Sequence, residues 1–175
     1  NERKLPLVTA LQFIEDIKNA PTIYHQGLYL CGKFGVGKTY LLGALANELA
    51  LEGFETTLIH FPTFAVEMKN AIGQNNVLDK VNVIKKAPIL MIDDIGADAL
   101  SAWIRDEVLG IILQYRMQEQ LPTFFSSNFT MDELEQHLTT SQRGDNEPVK
   151  AGRIMQRVRY LAKEVEVSGH NRRLN

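Results

Sequence analysis

The chain has 175 residues, 45% of them hydrophobic and 23% charged, with a formal net charge of −2. That length fits one domain, and the composition excludes wholesale disorder, a collagen-like or coiled-coil sequence and a basic coat for nucleic acid. The single cysteine, Cys31, excludes an internal disulfide and a cysteine-built zinc site, which makes the reducing cytoplasm the expected location.

The chain opens Asn1-Glu2-Arg3-Lys4 with neither an initiator Met nor a secretion signal, so it reads as a piece of a longer protein. No apolar run reaches the ~18 residues of a membrane span. Residues 87–140 hold two basic against nine acidic residues, and residues 141–175 eight basic against four acidic. A local basic groove is compatible with that division.

In chain order, Gly27 to Cys31 reads as a buried strand, and Val36 to Leu51 as a helix with Leu41, Leu45 and Leu49 on one face. Thr56 to Phe61 is a second strand and Pro62 to Ile72 a second helix. Residues 75–86 are a short helix or loop. Ile89 to Ile92 is a third strand. Ala102 to Glu119 is a long helix with Ile104, Val108, Ile111, Ile112 and Tyr115 on one face. Pro122 to Ser126 is a fourth strand. Thr130 to Glu133 is a capping box that opens another helix. Ser141 to Pro148 is polar and loop-like, a helix follows to about Leu161, and Glu164 to Val167 is a fifth strand. Such alternation predicts an α/β fold, a five-stranded mainly parallel sheet with helices on both faces. Its ligands belong at the carboxyl ends of the strands.

The motifs fall at those ends. Gly32-Lys33-Phe34-Gly35-Val36-Gly37-Lys38-Thr39 matches the P-loop pattern and, with Tyr40, forms the expected nucleotide-binding stretch. Its glycines let backbone N–H groups wrap phosphate oxygens, and the helix start adds its positive dipole end. Lys38 then serves the β- and γ-phosphates of ATP, and Thr39 ligates Mg²⁺. The Lys38 head group is expected to be solvated or ligand-bound.

The run Ile89-Leu90-Met91-Ile92-Asp93-Asp94 is an apolar strand ending in two acids. Asp93 is the expected Mg²⁺ residue, and Asp94 the group that activates the attacking water. At the end of the fourth strand Asn128, with Ser127 as second choice, is the expected γ-phosphate sensor.

Arg153 and Arg157 lie four apart, hence on one helix face. They read either as a solvated surface or as an arginine finger acting on a neighbouring subunit. Trp103 either packs in the core or stacks on single-stranded bases. Lys69, with Lys80, Lys85 and Lys86, is either a solvated face or a nucleic-acid contact. The histidines at 25, 60, 137 and 170 show no metal-ligand spacing. Leu5 to Tyr24 is the expected adenine-side segment.

Together, GLYLCGKFGVGKTYLLGALANELA (27–50), PILMIDDIGADALSAWIRDEVLGIILQYRMQEQLPTFFSSN (88–128) and RGDNEPVKAGRIMQRVRYLAKEV (143–165) resemble the AAA+ ATPase domain of bacterial helicase loaders of the DnaI type, relatives of the DnaC loaders. The resemblance implies a P-loop NTPase of the AAA+ type. Such an ATPase binds the replicative hexameric helicase and helps place it on single-stranded DNA during primosome assembly. It implies nucleotide and Mg²⁺ roles for Lys38, Thr39 and Asp93, a catalytic acid in Asp94 and a sensor in Asn128. It makes Arg157 the arginine finger, with Arg153 beside it, and Ser101 and Trp103 single-strand contacts.

Members of the family carry an N-terminal zinc-binding domain that contacts the helicase, and residues 1–175 contain no counterpart. No separate lid follows the fifth strand, where only Ser168 to Asn175 remain. The first departure predicts a piece that binds nucleotide and DNA yet loads nothing, the second an open pocket with weak affinity and slow turnover, and the arginine finger implies self-association through shared nucleotide sites. The alternatives are the ATPase helper of a transposase, a P-loop phosphotransferase and a nucleotide-gated binding module.

Overall fold

A computed structural model describes residues 4–169. Five strands, β1 (Gly27–Cys31), β2 (Thr56–His60), β3 (Ile89–Asp93), β4 (Thr123–Ser127) and β5 (Ala162–Glu166), form one sheet in the order β2-β3-β4-β1-β5. Every pairing is parallel, so the mainly parallel expectation sharpens to all-parallel.

Side chains alternate across the sheet, and each face buries its own core. Leu28, Leu30, Ile89, Met91 and Phe124 pack against α1 (Lys4–Asn19) and α2 (Lys38–Leu51). Tyr29, Cys31, Leu90, Ile92 and Phe125 face the other way. There they meet α3 (Phe61–Gln74), α4 (Val77–Lys85), α5 (Gly110–Gln118), α6 (Met131–Thr139) and α7 (Pro148–Leu161). Burying each large side chain stabilises the fold by about 1.5–3 kcal/mol.

Helix α1 has no counterpart in the sequence reading. It buries Pro6, Ala10, Phe13, Ile14 and Ile17, and Phe13 meets Phe124 edge-on at 4.7 Å between ring centres. Residues 75–86 resolve as helix α4. The α2 stripe runs through Leu42, Leu45 and Leu49, not Leu41. The Thr130 hydroxyl accepts from Glu133 N at 3.2 Å, the N-cap half of the expected capping box, while the Glu133 carboxylate accepts from that hydroxyl at 3.1 Å. Residues 170–175, with most of the expected lid-free tail and His170, lie outside the described residues. Among the described residues no helix is long and apolar enough to cross a membrane.

The long helix after β3 departs from its expected face. It opens with a π-helical turn over Ile104–Leu109 before continuing as α5. One extra residue in a turn rotates everything beyond it by about 100°. Ile111 is therefore exposed, while Leu109 and Leu113 are buried beside Val108 and Ile112.

Two arginines are built into this side of the sheet. Arg116 is fully buried and, among the described residues, forms no ion pair with a carboxylate. Its guanidinium donates to Thr123 Oγ1 (2.8 Å) and to the carbonyls of Lys85 (3.1 Å), Ala87 (2.5 Å) and Pro122 (2.7 Å). Lys85 ends α4, so the charge sits on that helix's negative dipole end. Arg105, on the π-turn, donates to Asp106, to the Leu138 carbonyl (3.0 Å) and to Glu147, while Lys150 lies 3.5 Å from Asp106 and 3.3 Å from Glu147. This cluster ties the π-turn to the end of α6 and the entrance of α7.

Burial raises the Asp106 carboxyl, but the Arg105 hydrogen bonds and charge outweigh it and hold the group below its ordinary value. The Arg105 bond likewise lowers Glu147. Both groups therefore stabilise the fold above the ordinary carboxylate pKa of about 4. That stability is lost as pH falls through their depressed folded values. Glu147→Gln should flatten the acid side of the melting temperature plotted against pH. An acid limb identical to wild type would show that the cluster adds nothing to the pH dependence.

Candidate nucleotide site

The P-loop joins β1 to α2, as the sequence reading has it. Gly37 precedes α2 with φ 103°, a left-handed backbone that β-carbon-bearing residues rarely adopt. At Gly32 a Cβ would lie 2.1 Å from the Val167 carbonyl oxygen, so the loop passes too close to the end of β5 for any side chain.

Lys38 is buried and lines the cleft, its head group not solvated but turned onto the protein's own acceptors. Its ammonium donates to the carbonyls of Gly32 (2.6 Å) and Lys33 (2.9 Å) and to Asn128 Oδ1 (2.9 Å). Burial pulls its pKa below the ordinary value, opposed by the charges of Asp94 and Asp93. Asn128 thus lines the cleft within hydrogen-bond reach of the loop's lysine.

Asp93 ends β3 on the α2 side of the sheet. Thr39 Oγ1 donates to both of its carboxylate oxygens, at 3.0 and 3.1 Å, and Ser126 Oγ donates to Oδ1. Ser126 also accepts from the Asp94 N–H at 2.8 Å. Asp94 turns into the left-handed region (φ 62°), and its Oδ2 lies 3.5 Å from His60 Nε2 at the tip of β2. His60 Nδ1 is in turn 2.9 Å from Thr63 Oγ1. Adjacent carboxylates therefore have different settings: one is held between two hydroxyls, and the other stands half-exposed beside an imidazole.

These groups line a cleft of about 550 Å³, with Phe34, Gly35, Gly37 and Tyr40 along the loop and His60, Ser126 and Asn128 opposite. Its hard oxygen donors, Thr39 and Asp93, suit Mg²⁺. Gly32, Lys33 and Val36 complete the loop, with Val36 buried under it.

Ser127, the second choice for sensor, is corrected. It points to the opposite face of the sheet, donating to the Ile95 carbonyl (2.6 Å) and accepting from Phe129 N (3.1 Å). The adenine-side expectation also fails for Pro21 to Tyr24. These residues line a groove with Pro88 and Pro122, before β3 and β4, at the end of the sheet away from the P-loop. Ser126 and His60 were missed. Period-two alternation puts Ser126 on the face of Phe124 and Ser127 on that of Phe125, and the structure shows that the first of these faces receives α2. For His60 the only signal was its place at the end of a strand.

Neither Arg153 nor Arg157 lines the cleft. Arg157 Nη1 donates to the Gly110 carbonyl at 2.9 Å, while Arg153 is exposed. Arg159 pairs with Asp132 (2.9 Å) and Glu135 (2.8 Å). Lys69 and Ser101 line one groove of about 280 Å³ between α3 and the loop after β3, and Asp94 also borders it. Ser101 Oγ accepts from Ile104 N (3.2 Å) and so caps the start of the helix. Trp103 is half-buried against the core.

Across residues 1–175 the chain matches the family model described as IstB-like ATP binding protein. It belongs to that family. Among the family's relatives, the replicative helicase loader DnaI of Bacillus subtilis is 53% identical over 148 residues, which are 85% of this chain and 48% of that protein. The chain thus spans about half the length of this curated relative. The crystal structure of DnaI superposes with a TM-score of 0.81 at 46% identity, covering 92% of this chain and 84% of that one. A crystal structure of a protein from Streptococcus pyogenes serotype M3 gives 0.78 at 42%, covering 98% and 82%. The family's AAA+ P-loop fold is therefore the fold of this chain.

The two serines separate cleanly in an experiment. Ser126→Ala should weaken Mg²⁺-dependent nucleotide binding about tenfold, the worth of one hydrogen bond to a charged group. Ser127→Ala should leave that affinity unchanged and lower stability by about 1–2 kcal/mol. Calorimetric titration and chemical denaturation of both variants check the pair. The opposite pattern would reverse the assignment of faces.

Proposed function

We propose that the chain is the ATPase core of a replicative helicase loader. It binds ATP with Mg²⁺ in the cytoplasm, hydrolyses it slowly, and uses the cycle to help place a hexameric helicase on single-stranded DNA. The observation that supports the chemistry is Asp93 held between Thr39 and Ser126, beside Lys38. The helicase-loading role rests on the likeness to DnaI, which also favours it over a transposase helper.

In this reading the P-loop amides and Lys38 hold the β- and γ-phosphates, and Thr39 and Asp93 hold Mg²⁺. Held there, Mg²⁺ would supply positive charge against the phosphates. Asp94 orients and deprotonates the attacking water, and His60 steadies its carboxylate. Asn128 contacts the γ-phosphate. Arg157, with Arg153 as a second candidate, completes the site of a neighbouring copy, because both lie away from their own cleft. Turnover is slow because an isolated chain lacks that contribution.

The helicase is contacted mainly through an N-terminal domain of the kind that such loaders carry. Single-stranded DNA meets Lys69 and Ser101, with Trp103 nearby. The groove that Lys69 and Ser101 share also holds Asp94 and Asp98. One lysine against two acids gives little phosphate attraction, so DNA binding is weak and salt-sensitive.

ATP turnover measured with and without single-stranded DNA tests the reading. Expected is slow turnover that DNA alters and Lys38→Ala abolishes. A stacking Trp103 is worth ~1–3 kcal/mol per base, so Trp103→Ala should weaken DNA binding by roughly 5- to 150-fold. A folded Trp103→Ala protein with normal DNA affinity would assign this residue to packing alone. Phosphate transfer to a small acceptor, with no response to DNA, would overturn the loader reading.

A further inference from the structure

The stretches Ser101–Asp106 and Arg153–Arg157, which carry much of the family resemblance, lie against each other in the fold. Ile104, Val108 and Leu109 share a core with Ile154, Met155 and Val158. The π-turn holds α7 at two points. Arg105 grips Glu147 at its entrance, and the Gly110 carbonyl accepts from Arg157 in its middle.

Gly110 sits where the π-turn passes into α5, with its N–H bonded five residues back to the Arg105 carbonyl. A glycine inside a helix costs about 1 kcal/mol relative to alanine, so its presence there calls for a reason. Sterics supply it. A Cβ at Gly110 would lie 3.2 Å from Arg157 Nη1, 3.3 Å from Ile154 Cδ1 and 3.4 Å from the Arg105 carbonyl oxygen. The missing side chain is the space in which the guanidinium reaches the backbone.

Arg157 also differs from Arg105 and Arg159. Arg105 and Arg159 are neutralised by carboxylates. Among the described residues no carboxylate forms an ion pair with Arg157. One backbone carbonyl fixes a corner of the fork, and a guanidinium has five N–H donors in all. The charge is mounted but not compensated.

We propose that Gly110 is a positioning residue, whose bare backbone mounts the Arg157 guanidinium so that its remaining donors meet the phosphates of a neighbouring copy. This rests on the trans role given to Arg157 above. Small displacements of such a group lower rates steeply, on the order of 10²-fold for 1 Å.

The test measures ATP turnover against protein concentration, which isolates the assembly-dependent part, together with nucleotide affinity at low concentration. Gly110→Ala should lower assembly-dependent turnover about 10- to 100-fold and leave the affinity unchanged. Arg157→Ala should lower turnover at least as much, and the double variant should be no worse than Arg157→Ala alone. A glycine that serves packing alone would instead yield a less stable protein with full turnover once folded. If Arg157→Ala loses turnover while Gly110→Ala keeps it, the mount is wrong and the trans role stands. If Arg157→Ala keeps turnover, the trans role falls and the mount with it. Gly110→Ala combined with Ile154→Val, which relieves the second close contact, gives the same comparison if the single variant does not fold.

Discussion

The carboxylate of Asp93 is the point on which the site depends. It receives hydroxyl hydrogen bonds from two separate elements, Thr39 at the start of α2 and Ser126 near the end of β4. That convergence needs β3 and β4 in one parallel register, with Leu90, Met91 and Ile92 opposite Thr123, Phe124 and Phe125. It also needs β1 next to β4, with Cys31 level with Ser127, so that the loop leaving β1 arrives beside the acid. A one-residue slip in β3 would send Asp93 to the opposite face, among α3 to α7. The buried apolar residues that fix the register therefore also fix the chemistry.

The other side of the sheet is organised around arginines. The acidic stretch 87–140 contains two basic residues, Arg105 and Arg116, and both are buried. Arg116 ties α4 and α5 to the starts of β3 and β4 through carbonyls and one hydroxyl. Arg105 ties the π-turn to the junction of α6 and α7. The exposed surface of this stretch is left with its acids, while α7 carries Arg153, exposed, and Arg157.

The strands, the P-loop and the paired acids were legible because short apolar runs and glycine spacing are local signals. Helix α1 was not, because Leu5, Leu7, Val8 and Leu11 are exposed apolar residues that blur the stripe of Ala10, Phe13, Ile14 and Ile17. The π-turn has no sequence signature, and it moved the expected face of the following helix from Ile111 to Leu109 and Leu113. Ser126 and Ser127 could be told apart only by knowing which sheet face receives α2. His60 reaches Asp94 because β2 lies beside β3, a pairing the sequence order does not reveal. Lys38 lies on its own loop's carbonyls through the curl of that loop, which spacing alone does not describe.

The different settings of Asp93 and Asp94 are the central claim, and titration of ATP with and without Mg²⁺ tests it most directly. Asp93→Asn should lose the Mg²⁺-dependent part of the affinity. Asp94→Asn should keep that part in full while its turnover falls by roughly 10²-fold or more. If the two variants bind ATP alike in the presence of Mg²⁺, the carboxylates do not divide the work as their surroundings indicate.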